Sequence, residues 1–167
     1  GTYTNSWTSD NGVIWRSDDR GASFEKTNMS FKMGGNMGGR GMGERLAVDP
    51  NMGNILYFAG RENYGLWKST DYGETWSQDT GFPGEGPFVA NPDCPHDYDN
   101  HSPGIVWVTF DPATGTPGSP TQTIYVGTAQ NQAGEPNLFR TTDGGATWEA
   151  LPGQPMSSVD GTIVTMT

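Results

Sequence analysis

Ser17-Asp18-Asp19-Arg20-Gly21-Ala22-Ser23-Phe24, Ser69-Thr70-Asp71-Tyr72-Gly73-Glu74-Thr75-Trp76 and Thr141-Thr142-Asp143-Gly144-Gly145-Ala146-Thr147-Trp148 are three versions of one pattern, Ser/Thr-x-Asp-x-Gly-x-Ser/Thr-aromatic. The pattern reads as a hairpin turn in which the carboxylate accepts turn amides, Gly takes a positive φ and the aromatic returns to the core. Asp19, Asp71 and Asp143 stand 52 and 72 residues apart, so a unit of that size recurs along the chain.

The turn is an Asp-box, and each box closes a longer unit. Glu44 to Asn51, Asn54 to Gly60 and Gly65 to Ser69 lead into the second box; Ile105 to Pro112, Thr123 to Gly127 and Asn137 to Thr141 lead into the third. Four strands per unit, called A to D, with antiparallel connections, predict an all-β chain of the β-propeller class built on Asp-box (BNR) repeats. The expected parts are 1–32 as the second half of one blade, 45–80 and 105–152 as complete blades, and 157–167 as the start of another, all in one propeller domain. Gly1-Thr2-Tyr3 aligns with Gly127-Thr128-Ala129, which puts the first residue inside a blade. The ring is therefore expected to be incomplete and the chain a fragment.

Composition agrees with strands and turns. The chain has 167 residues, with 25 Gly, 12 Pro, six Trp and six Tyr, so aromatic rings at equivalent positions supply much of the expected core. No amphipathic helical stretch and no membrane-length apolar run is present. A net charge of −10 with only nine Lys and Arg argues against a nucleic-acid surface. The single Cys94 offers no internal disulfide framework, and the sequons Asn28-Met29-Ser30 and Asn100-His101-Ser102 permit glycosylation in a eukaryotic secretory pathway.

In a four-stranded blade the A–B and C–D turns share one end, and the boxes occupy the C–D turns. The B–C loops (1–12, 60–65, 127–136) and the D–A connections (31–43, 81–104) share the other end, where the long insertions collect. Long loops on a rigid scaffold are where binding is built. There Tyr3, Asn5, Trp7, Asn63 and Tyr64 pair aromatic platforms with amides, and the run from Gly34 to Arg45 adds Asn36, Met37, Arg40, Met42, Glu44 and Arg45. Such a set suits sugar rings, whose C–H faces stack on aromatics and whose hydroxyls need fixed polar partners. The competing reading is that Trp7 and Tyr64 only cover blade edges and the Gly run is an ordinary loop.

Other chemistry finds less support. Gly39-Arg40-Gly41-Met42-Gly43 lacks the helix and the Lys-Ser/Thr pair of a phosphate loop. The box aspartates recur in every unit, which suits a turn and not a catalytic acid. Glu44 and Glu62 are the single-copy carboxylates near the loop end. Asp93-Cys94-Pro95-His96-Asp97-Tyr98-Asp99-Asn100-His101 gathers metal-binding residue types without a recognised zinc or EF-hand spacing, and no metal or other cofactor is expected. No Ser elbow or Cys–His pair with an orienting acid is evident.

Gly34 to Asn51, Asn54 to Phe58 and Gly65 to Gly73 closely resemble the xyloglucanases of glycoside hydrolase family 74, as do Tyr3-Thr4-Asn5-Ser6-Trp7 and Val106 to Asp111. The resemblance runs from Gly1 to about Pro155. It implies two seven-bladed propellers facing each other across a cleft that binds xyloglucan, a xylose-decorated β-1,4-glucan. It also implies a secreted enzyme that inverts configuration with two Asp residues, one per propeller, about 6.5–9.5 Å apart. Neither catalytic motif occurs in this sequence, so no catalytic residue is assigned and the isolated piece is expected to be inactive. The implied partners are xyloglucan or a related β-glucan and the remainder of the propeller, with no nucleic acid or membrane. What the resemblance carries over is cleft wall: Tyr3, Asn5, Trp7, Asn36, Met37, Arg40, Met42, Glu44 and Arg45, with the loop at Asn63 and Tyr64 in an equivalent place. Two alternatives remain: a non-catalytic Asp-box propeller that binds a protein or glycan, and a sialidase, which the lack of a recognisable arginine triad disfavours.

Overall fold

The computed structural model describes residues 13–30, 45–60, 64–84, 104–129 and 134–154. Among them, helix is limited to one short 3-10 turn at Pro112–Thr114, and everything else regular is strand. β1 (Val13–Arg16) and β2 (Glu25–Ser30) form an antiparallel pair. β3 (Leu46–Val48), β4 (Leu56–Ala59), β5 (Leu66–Ser69) and β6 (Ser77–Gln78) form a second sheet in chain order. β7 (Gly104–Phe110), β8 (Ile124–Ala129), β9 (Leu138–Thr141) and β10 (Glu149–Ala150) form a third with the same order. Each strand pairs with its sequence neighbour, so each repeat unit is one small meander, the blade of a propeller.

The middle sheet is packed on both faces, and its strands show it. Side chains alternate across a strand, so Tyr57, Ala59 and Leu66 turn toward the third sheet while Leu56, Phe58 and Trp67 turn toward the first. The larger cluster joins Tyr57, Leu66 and Phe82 to Ile105, Val108, Ile124, Val126 and Phe139; the smaller joins Phe58 and Trp76 to Ile14 and Met29. A register shift between Ile105 and Trp107 keeps Ile105 in the same cluster as Val108 despite their odd separation.

The box aromatics serve as wedges between sheets. Trp148 packs edge-on against Tyr57 at 6.3 Å and Phe82 at 5.3 Å, and its Nε1 donates to Asp79 Oδ2 at 3.1 Å. Such ring pairs contribute about 0.5–1.5 kcal/mol each beyond simple burial. Trp76 is likewise buried against Ile14, Met29 and Phe58. Phe24 corrects the expectation that every box aromatic returns to the core, because it is 60% exposed. Trp76 and Trp148 each pack on the sheet before their own, and no described residue precedes the β1–β2 pair.

Candidate functional site

All three boxes fold onto one hydrogen-bond diagram. In the first, Asp19 Oδ1 accepts from the Ser23 amide (2.8 Å) and the Ser17 hydroxyl (2.9 Å), and Oδ2 accepts from the Ser23 hydroxyl (2.6 Å). Asp71 takes the same donors from Thr75 and Ser69, and Asp143 from Thr147 and Thr141. The opening Ser or Thr oxygen then accepts the amide of Gly21, Gly73 or Gly145. At Gly145 the φ is +89° and a Cβ would fall 2.1 Å from the Tyr57 hydroxyl oxygen, so both backbone and space require Gly.

Those donors fix the charge state. Hydrogen bonds, first from the hydroxyl of Ser23 or Thr75, hold the Asp19 and Asp71 carboxyls down at about 2, and the Thr147 hydroxyl holds Asp143 lower still. A carboxyl so acidic carries no proton at neutral pH, and its lone pairs already face donors. The box aspartates are turn anchors, unfit as general acids.

The A–B turns sit at the same end as the boxes. The Tyr72 amide donates to the Asn54 carbonyl at 3.1 Å, and the Gly144 amide to the Gln122 carbonyl at 2.9 Å. Arg45 and Tyr64 lie at the opposite end of the second sheet. The Ala59 amide donates to the Arg45 carbonyl at 2.7 Å, which sets Arg45 beside the end of β4, and Gly60 and Gly65 close the β4–β5 connection at 2.8 Å. The third sheet joins this end, because the Ile105 amide donates to the Gly60 carbonyl at 3.1 Å.

Arg45 is half-buried there. Tyr64 is also half-buried and packs against the Ile14–Met29–Phe58–Trp76 cluster, while its carbonyl accepts from Trp67 Nε1 at 2.6 Å. Tyr64 is thus partly an inter-sheet residue, leaving only part of its surface for a sugar. Tyr3, Asn5, Trp7, Asn36, Met37, Arg40, Met42, Glu44 and Asn63 lie outside the described residues, as do Glu62, Cys94, Asn100 and both histidines. Among the described residues, no group of His, Cys, Asp and Glu is placed to hold a metal ion, and no helix is long and apolar enough to cross a membrane.

Sequence reasoning missed a buried carboxylate. Asp49, 2% exposed, accepts from the amides of Asn51 (2.8 Å) and Thr121 (2.9 Å) and from the Thr121 hydroxyl (2.6 Å), so it ties the second sheet to the third. The signal that could have found it is the Asp-Pro pair repeated at Asp49-Pro50 and Asp111-Pro112.

The chain is 54% identical over 155 residues to a xyloglucanase of a Paenibacillus species, a match covering 93% of this chain and 15% of that protein. A xyloglucanase of Acetivibrio thermocellus is equally similar, with 18% of its length covered. The solved structure of the family 74 xyloglucanase from Xanthomonas campestris superposes with a TM-score of 0.75 at 37% identity, over 93% of this chain and 21% of that one. The chain belongs to glycoside hydrolase family 74. No family model matches it. It spans less than a fifth of the length of those two relatives, and the described sheets are blades of the propeller that family members share.

Proposed function

We propose that the chain is part of a secreted glycoside hydrolase that cleaves the β-1,4-glucan backbone of xyloglucan with inversion, and that it forms one wall of the substrate cleft. The observation that carries the reading is the 54% identity, over 93% of the chain, to proteins named xyloglucanases. This reading puts the wall at the end of the sheets that bears Arg45 and Tyr64, and the box turns at the opposite end, whose aspartates already meet donors, support it. A half-buried guanidinium can donate to sugar hydroxyls from a fixed position, and the sequence segments before β1 (1–12), before β3 (31–44) and between β4 and β5 (61–63) contain Tyr3, Asn5, Trp7, Asn36, Met37, Arg40, Met42, Glu44 and Asn63.

Inversion requires an acid and a base on opposite sides of the scissile bond. The box carboxylates fill neither role, and this reading assigns the acid and the base to other parts of the full-length protein. The test is to incubate that protein with xyloglucan and with an undecorated β-1,4-glucan and to follow the first product by NMR. Release of the α-anomer from xyloglucan is expected. A β-anomer would overturn the inverting mechanism, and no cleavage of xyloglucan would overturn the substrate. Arg45→Ala is expected to raise KM several-fold with a smaller change in kcat; an unchanged KM removes Arg45 from the wall. Recovery of the protein from the culture medium tests secretion.

A further inference from the structure

The contact between the second and third sheets includes a polar clasp whose repeat-related counterpart is half open. On the closed side, the Asp49 carboxylate receives the Thr121 amide and hydroxyl, Asn51 Nδ2 donates to the Pro112 carbonyl at 2.9 Å and Thr121 Oγ1 at 3.0 Å, and the Gly118 amide donates to the Asn51 carbonyl at 2.8 Å. Gly115 is required beneath it, because a Cβ there would lie 2.6 Å from Asn51 Nδ2. The whole loop from Pro112 to Thr121 is thereby seated on the Asp49 turn.

Asp111 follows β7 as Asp49 follows β3, and both precede Pro. The local half of the motif is present at both: Asp49 Oδ1 accepts the Asn51 amide at 2.8 Å, and Asp111 Oδ1 accepts the Ala113 amide at 3.1 Å. The crossing half differs. Oδ2 of Asp49 holds the Thr121 amide, whereas among the described residues Oδ2 of Asp111 meets no donor.

We propose that Asp111 docks a following sheet of the same polypeptide by accepting the amide and hydroxyl of a Thr or Ser in that sheet's A–B loop. The occupant follows from continuity with the Asp49 clasp, in which the third sheet supplies the same donors to the second. Ala113 stands where Asn51 stands in the preceding unit, so the Asp111 clasp lacks the side-chain amide and rests on the carboxylate. It would serve the ring whatever sugar the cleft takes.

The experiment compares Asp111→Ala and Asp111→Ser in the full-length protein by urea unfolding, with Asp49→Ser as reference. Ser keeps the local turn bond, since its short hydroxyl accepts an amide two residues on, but it cannot reach a neighbouring sheet. If Asp111 crosses between sheets, Asp111→Ser loses at least half as much in midpoint as Asp111→Ala. A smaller loss, or none in either variant, overturns the clasp. Hydrogen exchange on the unmutated protein gives a second measure that does not depend on variants folding. The donor amide in the following A–B loop is expected to be protected to the same degree as that of Thr121, and rapid exchange there overturns the proposal.

Discussion

Two contacts between sheets use equivalent positions and come out differently. Where the second sheet meets the third, Val108 is 3% exposed and Phe110 packs edge-on against Tyr57 with ring centroids 5.9 Å apart. Where the second meets the first, the repeat-related residues Leu46 and Val48 are 39% and 50% exposed. Among the described residues, four strands face the first pair and two, β1 and β2, face the second. The same inward-pointing apolar residue is therefore core or surface according to how many strands stand opposite it. Polar chemistry follows the same division, with a buried charged clasp at Asp49 on one side and a neutral bridge at Asn28 on the other.

The sharpest way to break this comparison is to place a charge on both sides of it. Val108→Asp puts an unpaired carboxylate into the larger cluster and is expected to cost about 4 kcal/mol or more, enough to unfold a marginal domain. Val48→Asp is expected to stay within about 0.5 kcal/mol in the 167-residue chain. Urea unfolding of the two variants measures the gap, and equal losses would mean that the two contacts do not differ in burial. Truncating the polar links is the milder version. Asp49→Ala strands the Thr121 and Asn51 donors and is expected to cost about 2–4 kcal/mol, against about 1 kcal/mol for Asn28→Ala. A larger loss at Asn28 would reverse the ranking of the two contacts.

The all-β architecture was legible because the boxes punctuate the chain. Once Asp19, Asp71 and Asp143 are aligned, the apolar runs before them fall into strands, and the recurrence of the Asp explains why it holds a turn. The exposure of Phe24 was not legible, since burial of a box aromatic depends on the preceding sheet and not on its own unit. Asp49 was hidden for a related reason. Its partner Thr121 lies 72 residues away, and nothing in the local pattern distinguishes a carboxylate that caps its own turn from one that also crosses to the next sheet. At the candidate site, Arg45 and Tyr64 share one end of a sheet as the loop assignment required, but the packing of Tyr64 on Met29 and Trp76 follows from three-dimensional proximity alone.

The boxes themselves make acid the next probe. Asp19 and Asp71 sit at about 2 in the folded chain against an ordinary 3.8, and Asp143 is lowered further. A carboxyl depressed by folding contributes stability that is present above its unfolded value and lost as pH falls through its folded one. Stability is therefore expected to decline from about pH 4 toward pH 2. Asp71→Asn and Asp143→Asn should each flatten that decline, as followed by thermal unfolding across the range. Because each box lies in its own sheet, at the solvent-exposed end, the slopes removed by the two variants should add; strong non-additivity would mean that the sheets respond as one unit.

The smallest expected effect concerns the other sequence signal at the weaker contact, the Asn28-Met29-Ser30 sequon. Asn28 Nδ2 donates to the Trp76 carbonyl and Oδ1 accepts the Trp76 amide, both at 2.9 Å, so the side chain mimics a strand partner and joins β2 to the second sheet. Met29 beside it is fully buried among Ile14, Phe58 and Trp76. Glycan attachment would use the same Nδ2 atom and set a bulky sugar against the Trp76 backbone, at odds with the bridge. Folded chain secreted from a eukaryotic host is therefore expected to be unmodified at Asn28, as peptide mass mapping would read. Full occupancy with an unchanged melting temperature would show that the Asn28–Trp76 bridge contributes nothing to holding the first sheet against the second.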